Sequence, residues 1–178
     1  MPVPALGRCY DHRQAPECHE LKHRDQDAHP EEEEMSIEEN KKTVETMWRA
    51  LSEMDWKTLK SCMTDDVFYE DVPTEDVGAH GPENVVKRLA IAFDHLDDHQ
   101  HTIHHLVAEG DVVFLDHTEV WTFKTGEKAS NKFATVHELK NGRVAKWSDY
   151  WDVSGFVGQF PKWFLEEMAK GSEADFSD

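Results

Sequence analysis

Positive charge is scarce in this chain of 178 residues, where 19 Lys and Arg stand against 37 Asp and Glu for a formal net charge of −18. A surface so negative repels phosphate backbones, and no Lys/Arg stripe offers counterion release, which speaks against nucleic acid as a partner. Long apolar runs are also missing. None approaches the ~20 residues that a membrane span needs, and the residues around Arg8, Asp11 and Arg13 lack the apolar segment of a signal peptide, so the reading is a cytoplasmic protein with no membrane partner. Cysteine is sparse too. Cys9, Cys18 and Cys62 make an odd set with no C-x-x-C pair, which argues against a disulfide frame and suits free thiols in a reducing compartment. His12, His19 and His23 lie near Cys9 and Cys18, but the spacing matches no zinc-finger pattern.

Aromatics are nearly absent from residues 1–34, whose only one is Tyr10, whereas all six Trp and all nine Phe follow Ser36. The material for a core therefore starts there. The expected organisation is a disordered acidic, His-containing tail over 1–35, one domain over 36–170 and a flexible C-terminus over 171–178. The tail carries 4 Lys and Arg against 9 Asp and Glu, a net −5, so −13 of the −18 belongs to the remainder.

Ser36-Ile37-Glu38-Glu39 reads as a capping box, and Val44, Met47, Trp48 and Leu51 follow at helical spacing, predicting a helix over about 37–54. Asp55 caps a second, short helix through Met63, and Val67–Val72 reads as a strand halted by Pro73. Gly81-Pro82 opens a third, broadly apolar helix. Beyond Asp98 the period becomes two, with strands predicted at about 100–108, 112–123, 129–139 and 143–152, separated by turns of which Asn141-Gly142 is the strongest hairpin signal. Pro161–Met168 reads as a closing helix ended by Gly171. Helices followed by an antiparallel meander, with one strand inserted early, predict an α+β domain whose curved, mixed but mostly antiparallel sheet wraps over three N-terminal helices.

Alternation then sorts the chemistry. On the longest strand His117 and Glu119 share the face of Leu115 and Trp121, an arrangement that demands hydrogen bonds, neutralisation or a wetted cavity, because isolated buried charge is costly. Asp149 shares a face with Trp147 and Trp151, and Tyr69 and Asp71 share one with Val67. Three strands thus present polar groups among apolar ones, as a pocket for a mostly hydrophobic molecule requires. A self-satisfying His–Glu pair is the structural alternative. Met47, Leu51, Leu115, Phe133, Trp121, Trp147 and Trp151 are the candidate substrate-contacting residues. Strict alternation also puts His99, His101 and His105 on one face, yet no Asp or Glu shares it, so a partly exposed strand is expected there rather than a metal site.

Tyr69-Glu70-Asp71-Val72-Pro73, His117-Thr118-Glu119, and Asn141-Gly142-Arg143-Val144 leading to Trp147-Ser148-Asp149-Tyr150-Trp151-Asp152 resemble, in order and spacing, the limonene-1,2-epoxide hydrolase family. That family is a branch of the nuclear-transport-factor-2-like and SnoaL-like superfamily, and the resemblance covers about Ile37 to Asp152. It implies a cone-shaped fold, a homodimer, and an enzyme without cofactor or metal. In the family a Tyr, an Asn and an Asp hold and deprotonate a water while an Arg-x-Asp pair protonates the epoxide oxygen. Tyr69 and Asp149 match; Asp71 stands for the Asn, His117 for the Arg and Glu119 for the acid. The resemblance therefore implies Asp149 as base, Tyr69 and Asp71 positioning water, Glu119 as acid and a cationic His117 coupling the two carboxyls. Two alternatives stay open. One is an isomerase, cyclase or dehydratase acting on a polyketide, terpenoid or steroid-like substrate with His117 carrying protons. The other is a non-catalytic binding or dimerisation module. Phe156, Phe160, Trp163 and Phe164 are expected either to close the pocket or to form a homodimer contact.

Overall fold

A computed structural model describes residues 36–75 and 77–171. The reading of 1–35 as a disordered tail with Cys9 and Cys18, and of 172–178 as a flexible end, lies outside those residues. Helix α1 (Ile37–Ser52) begins at the expected capping box, with Ser36 Oγ accepting from the Glu39 amide and the Glu39 carboxylate accepting from the Ser36 amide. Its inward stripe is Val44, Met47, Trp48 and Leu51, each at most 2% exposed. Burial of this kind is worth about 1.5–3 kcal/mol per large apolar side chain. Asp55 caps α2 (Trp56–Ser61), which ends before Met63 because that residue already opens strand β1 (Met63–Asp71).

The short strand β2 (Ala79–His80) and helix α3 (Gly81–Phe93) follow, then β3 (Leu96–Glu109), β4 (Val112–Phe123), β5 (Lys128–Lys140) and β6 (Arg143–Tyr150). A short helix α4 (Val153–Val157), capped by Asp152, and α5 (Lys162–Gly171) complete the described chain. Sequence reading missed α4, which is too short for periodicity to register. The six strands form one mixed sheet in the order β2-β1-β6-β5-β4-β3. Strands β3 to β6 are the expected antiparallel meander, and β1 joins its far edge in parallel with β6, pairing Asp71 with Asp149 and Tyr69 with Trp147. The β5–β6 turn carries Asn141 at φ 51° and Gly142 at φ 71°, two left-handed residues of the kind that a tight hairpin requires.

Strict alternation fails on β3. Its pairing with β4 shifts between Leu96 and Asp98 and again between Ile103 and His105. Each irregularity moves the residues beyond it to the opposite face. His99 and His101 consequently point inward, while His105 lies outside, where its ring meets Asp116 at 2.9 Å. The expected three-histidine face does not exist. Among the described residues no cluster of His, Cys, Asp and Glu is arranged to hold a metal ion, and no helix is long and apolar enough to cross a membrane.

Candidate active site

Between the concave side of the sheet and the helices lies a cavity of about 470 Å³. Aromatic rings reach its walls from five elements: Trp48 from α1, Phe93 from α3, Trp121 from β4, Phe133 from β5 and Trp147 from β6. The C-terminal segment covers part of it. Phe156 and Phe160 line the cavity, with Phe160 stacked on Trp121 at 5.7 Å, while Phe164 is fully buried against Phe123. Of the four aromatics expected to close the pocket or to form a homodimer contact, Phe156 and Phe160 therefore lie at the pocket, while Trp163 and Phe164 pack behind them and do not line it.

Four ionisable residues on strands open into this apolar space: Tyr69, Asp71, Glu119 and Asp149. Parallel pairing sets Asp71 beside Asp149. Asp149 is 5% exposed, and its Oδ1 accepts from Trp147 Nε1 at 2.8 Å and from the Thr135 hydroxyl at 2.5 Å. Burial, and then the neighbouring Asp71 charge, push the Asp149 carboxyl well above the ordinary carboxylate range despite these two donors. Asp71 has a cation of its own. Arg88 Nη2, from α3, lies 2.6 Å from Asp71 Oδ2, and Trp151 Nε1 and the Tyr69 hydroxyl donate to Asp71 Oδ1 at 2.8 and 3.2 Å. Burial, followed by the charges of Asp71 and Asp149, raises the Tyr69 phenol so that it stays protonated.

Glu119 is also buried, at 6% exposure, but its surroundings act the other way. Its Oε1 is 3.2 Å from His99 Nε2, a close ion-pair contact rather than an aligned hydrogen bond, and its Oε2 accepts from Trp121 Nε1 at 2.9 Å. Burial would raise this carboxyl, yet His99, with His101 and the indole behind it, outweighs burial and holds it below the usual value. Asn131, the strand partner of Glu119 on β5, also lines the cavity.

His117 does not sit where the resemblance implied. Its ring is fully buried behind Phe133, 3.8 Å away between centroids, and Trp48, at 4.5 Å, and it does not line the cavity. Its Nδ1 meets His101 Nε2 at 2.6 Å and its Nε2 meets Thr135 Oγ1 at 2.8 Å, so neither nitrogen bridges the two carboxyls directly. Burial lowers its pKa to about 3, and the nearby His101 adds to the effect, which removes the cationic role expected of it. Met47 and Leu115 are likewise core rather than pocket wall. Trp48 and Leu51 take the cavity positions on α1, and Leu115 is held between Leu106 and Thr135 in the sheet. Leu51, Phe133, Trp121, Trp147 and Trp151 do line the cavity. Sequence reading missed Arg88, Asn131, Thr135 and His99. Arg88 could have been found as one of two cations, with Lys87, on the apolar third helix, whereas His99 was hidden by the strand irregularity.

A family model described as SnoaL-like domain matches residues 44–147. No curated protein matches the sequence. Among solved structures, an LEH-like epoxide hydrolase of M. tuberculosis superposes with a TM-score of 0.61 at 22% identity, covering 75% of this chain and 94% of that one. A protein of ketosteroid isomerase-like fold from Catenulispora acidiphila, solved with trimethylamine, gives 0.59 at 18% identity over 66% and 90% of the two chains. Bal32a, from a soil-derived mobile gene cassette, gives 0.62 at 18% over 70% and 98%. At these identities the likeness establishes the fold, the nuclear-transport-factor-2-like cone, and leaves the reaction to the site.

Proposed function

The chain belongs to the SnoaL-like domain family, and from that premise we propose that it is an acid–base enzyme, without cofactor, that adds water to the epoxide of a hydrophobic, terpenoid-like molecule. One observation carries the reading: two buried carboxyls open into a single apolar cavity, with surroundings that drive their protonation apart. Pairs of this kind divide acid and base duties at one pH. The roles follow the electrostatics and reverse those implied by the resemblance. Glu119, kept ionised by His99, is the base that takes a proton from water, with the Asn131 amide beside it to orient that water. Asp149, kept protonated by burial and by Asp71, donates to the epoxide oxygen as its C–O bond breaks. Tyr69 and the Arg88–Asp71 pair hold the polar end of the substrate, and Trp48, Phe133 and Trp121 hold its apolar body.

A second reading has its own support. A buried carboxyl kept neutral beside a tyrosine is also a device for stabilising an enolate oxygen, so Glu119 moving a proton between substrate carbons would make the protein an isomerase, cyclase or dehydratase. The names of the similar structures include both chemistries. Turnover of a panel of cyclic terpene epoxides and of enolisable ketones separates them. Diol from an epoxide, lost in both Glu119→Gln and Asp149→Asn, supports hydrolysis. Ketone isomerisation with no diol replaces it with the second reading, and no turnover of either panel removes both in favour of a binding module. The resemblance also carries a homodimer, for which sedimentation equilibrium is the measurement.

A further inference from the structure

Asp149 is enclosed on the cavity side by aromatic rings and by any apolar ligand the cavity holds. A carboxyl that gives up a proton in each reaction needs another way to exchange it. Behind Asp149 the sheet provides a continuous line of hydrogen bonds. Thr135 Oγ1, on β5, meets Asp149 Oδ1 at 2.5 Å; His117 Nε2, on β4, meets Thr135 Oγ1 at 2.8 Å; and His101 Nε2, on β3, meets His117 Nδ1 at 2.6 Å. His101 is half-buried, stacked on Trp48 at 4.6 Å, and its Nδ1, unlike those of His99 and His137, is not a sealed atom without a partner.

We infer that Asp149, Thr135, His117 and His101 form a proton path by which Asp149 exchanges its proton with solvent through the sheet rather than through the cavity. With Asp149 ionised, every bond points toward it: His101 Nε2–H donates to His117 Nδ1, His117 Nε2–H to Thr135 Oγ1, and the Thr135 hydroxyl to Asp149. A proton arriving at His101 Nδ1 reverses the line. His101 passes its Nε2 proton to His117 Nδ1, His117 passes its Nε2 proton to Thr135 Oγ1, and Thr135 passes its own to Asp149 Oδ1. One proton enters and one appears on the carboxylate. Both imidazoles change from the Nε2–H to the Nδ1–H tautomer, and neither remains charged. Departure of the proton is the same sequence run backwards.

The setting favours neutral tautomers over an imidazolium. Burial lowers His117 to about 3 and His101 to about 4. His101 is faced by His99 and His104 from its own strand and by Glu119 from β4. His117 is faced by His101 and His104 from β3, by Glu119 and Asp116 from its own strand, and by His137 from β5, with the uncharged Trp48 of α1 above it. Asp149 is faced by Asp71 and Tyr69 from β1 and by Glu119 from β4. Thr135 touches neither the cavity nor the substrate and acts as a positioning residue.

The path deepens the acid role proposed for Asp149 and rests on it, so its test uses a readout other than turnover. In the full-length protein, ¹⁵N NMR of His101 and His117 and ¹³C NMR of the Asp149 carboxyl are followed through a pH titration. Both rings are expected to change tautomer with the midpoint at which Asp149 titrates. Thr135→Val should abolish that shared midpoint and Thr135→Ser, which restores the hydroxyl, should keep it. Should Thr135→Val not fold, Asp149→Asn, which cannot titrate, should leave both rings in one tautomer across the same range. A shared midpoint in a parent that turns over no epoxide removes the hydrolase reading and leaves the path intact. Rings that keep one tautomer while Asp149 titrates, or that switch undiminished in Thr135→Val, overturn the path.

Discussion

Arg88 decides what the two adjacent aspartates do. Asp71 and Asp149 are register partners on parallel strands, and two carboxylates so placed cannot both ionise cheaply. The 2.6 Å contact from Arg88 gives the charge to Asp71 and leaves the proton to Asp149. Replacing Arg88 by Met should therefore leave a buried carboxylate without its cation, at a cost of about 3–5 kcal/mol in urea unfolding at pH 7. The loss should shrink in an Asp71→Asn background, where no carboxylate is left without its cation; an equal loss in both backgrounds would show that Arg88 contributes packing and not charge. Phe160 offers a second test at this scale. Its ring stacks on Trp121 and lines the cavity, so Phe160→Ala should weaken binding of an apolar ligand and lower stability by less than the ~3–5 kcal/mol of a fully buried ring, since Phe160 is only partly buried. Isothermal titration with a saturated terpene, together with a thermal melt, measures both.

At the scale of elements, the first helix and the third strand make opposite points about local signals. Helix α1 begins where its capping box says, because the reciprocal bonds of Ser36 and Glu39 satisfy amides that no helical carbonyl reaches. Ser36→Ala is expected to cost ~1 kcal/mol in chemical denaturation, the usual value of such a cap. Strand β3 resisted the same kind of reading. Two added residues, invisible to a period-two pattern, place His99 against Glu119 and His101 against His117 and turn His105 to the outer face. The candidate site gained two of its histidines from an irregularity and not from a motif.

For the molecule as a whole, three histidines, the buried His117 and His137 and the half-buried His101, dominate the acid response. Burial lowers His101 to about 4, and His117 and His137 to about 3, from an ordinary 6.5. Above pH 6.5 these rings are neutral in both folded and unfolded chains and have no effect on stability. Below it the unfolded chain binds three protons that the folded core refuses, so stability falls as pH falls, down to the folded values near 3–4. Asp149 opposes this, because its raised folded pKa lets the native state hold one proton that the unfolded chain binds only near 3.8. Three against one leaves a net two protons. As pH falls from about 5.5 to 4.5 the stability should therefore fall, by on the order of a few kcal/mol per pH unit. Urea denaturation at half-unit intervals checks the slope, and a flat profile over that range would mean that the histidines are not held neutral.

Alternating and helical patterns alone determined the α+β class, the four-stranded meander, the capping box and the inward faces of β4 and β6. They did so because side-chain periodicity is a local property: Trp147, Asp149 and Trp151 must share a face whatever the rest of the chain does. The residues that open into the cavity from single strands, Tyr69, Asp71, Glu119 and Asp149, were legible for that reason. What only tertiary structure decided was who meets whom across strands and layers. The parallel docking of β1 on β6 set Asp71 beside Asp149, the packing of α3 brought Arg88 to them, and the rings of Trp48 and Phe133 closed over His117 and took it from the pocket into the sheet. A resemblance between short motifs carries residue types to positions, but protonation depends on burial and on the nearest charge. Those are set by residues distant in sequence, which is why the proposed acid and base are the reverse of those that the resemblance implied.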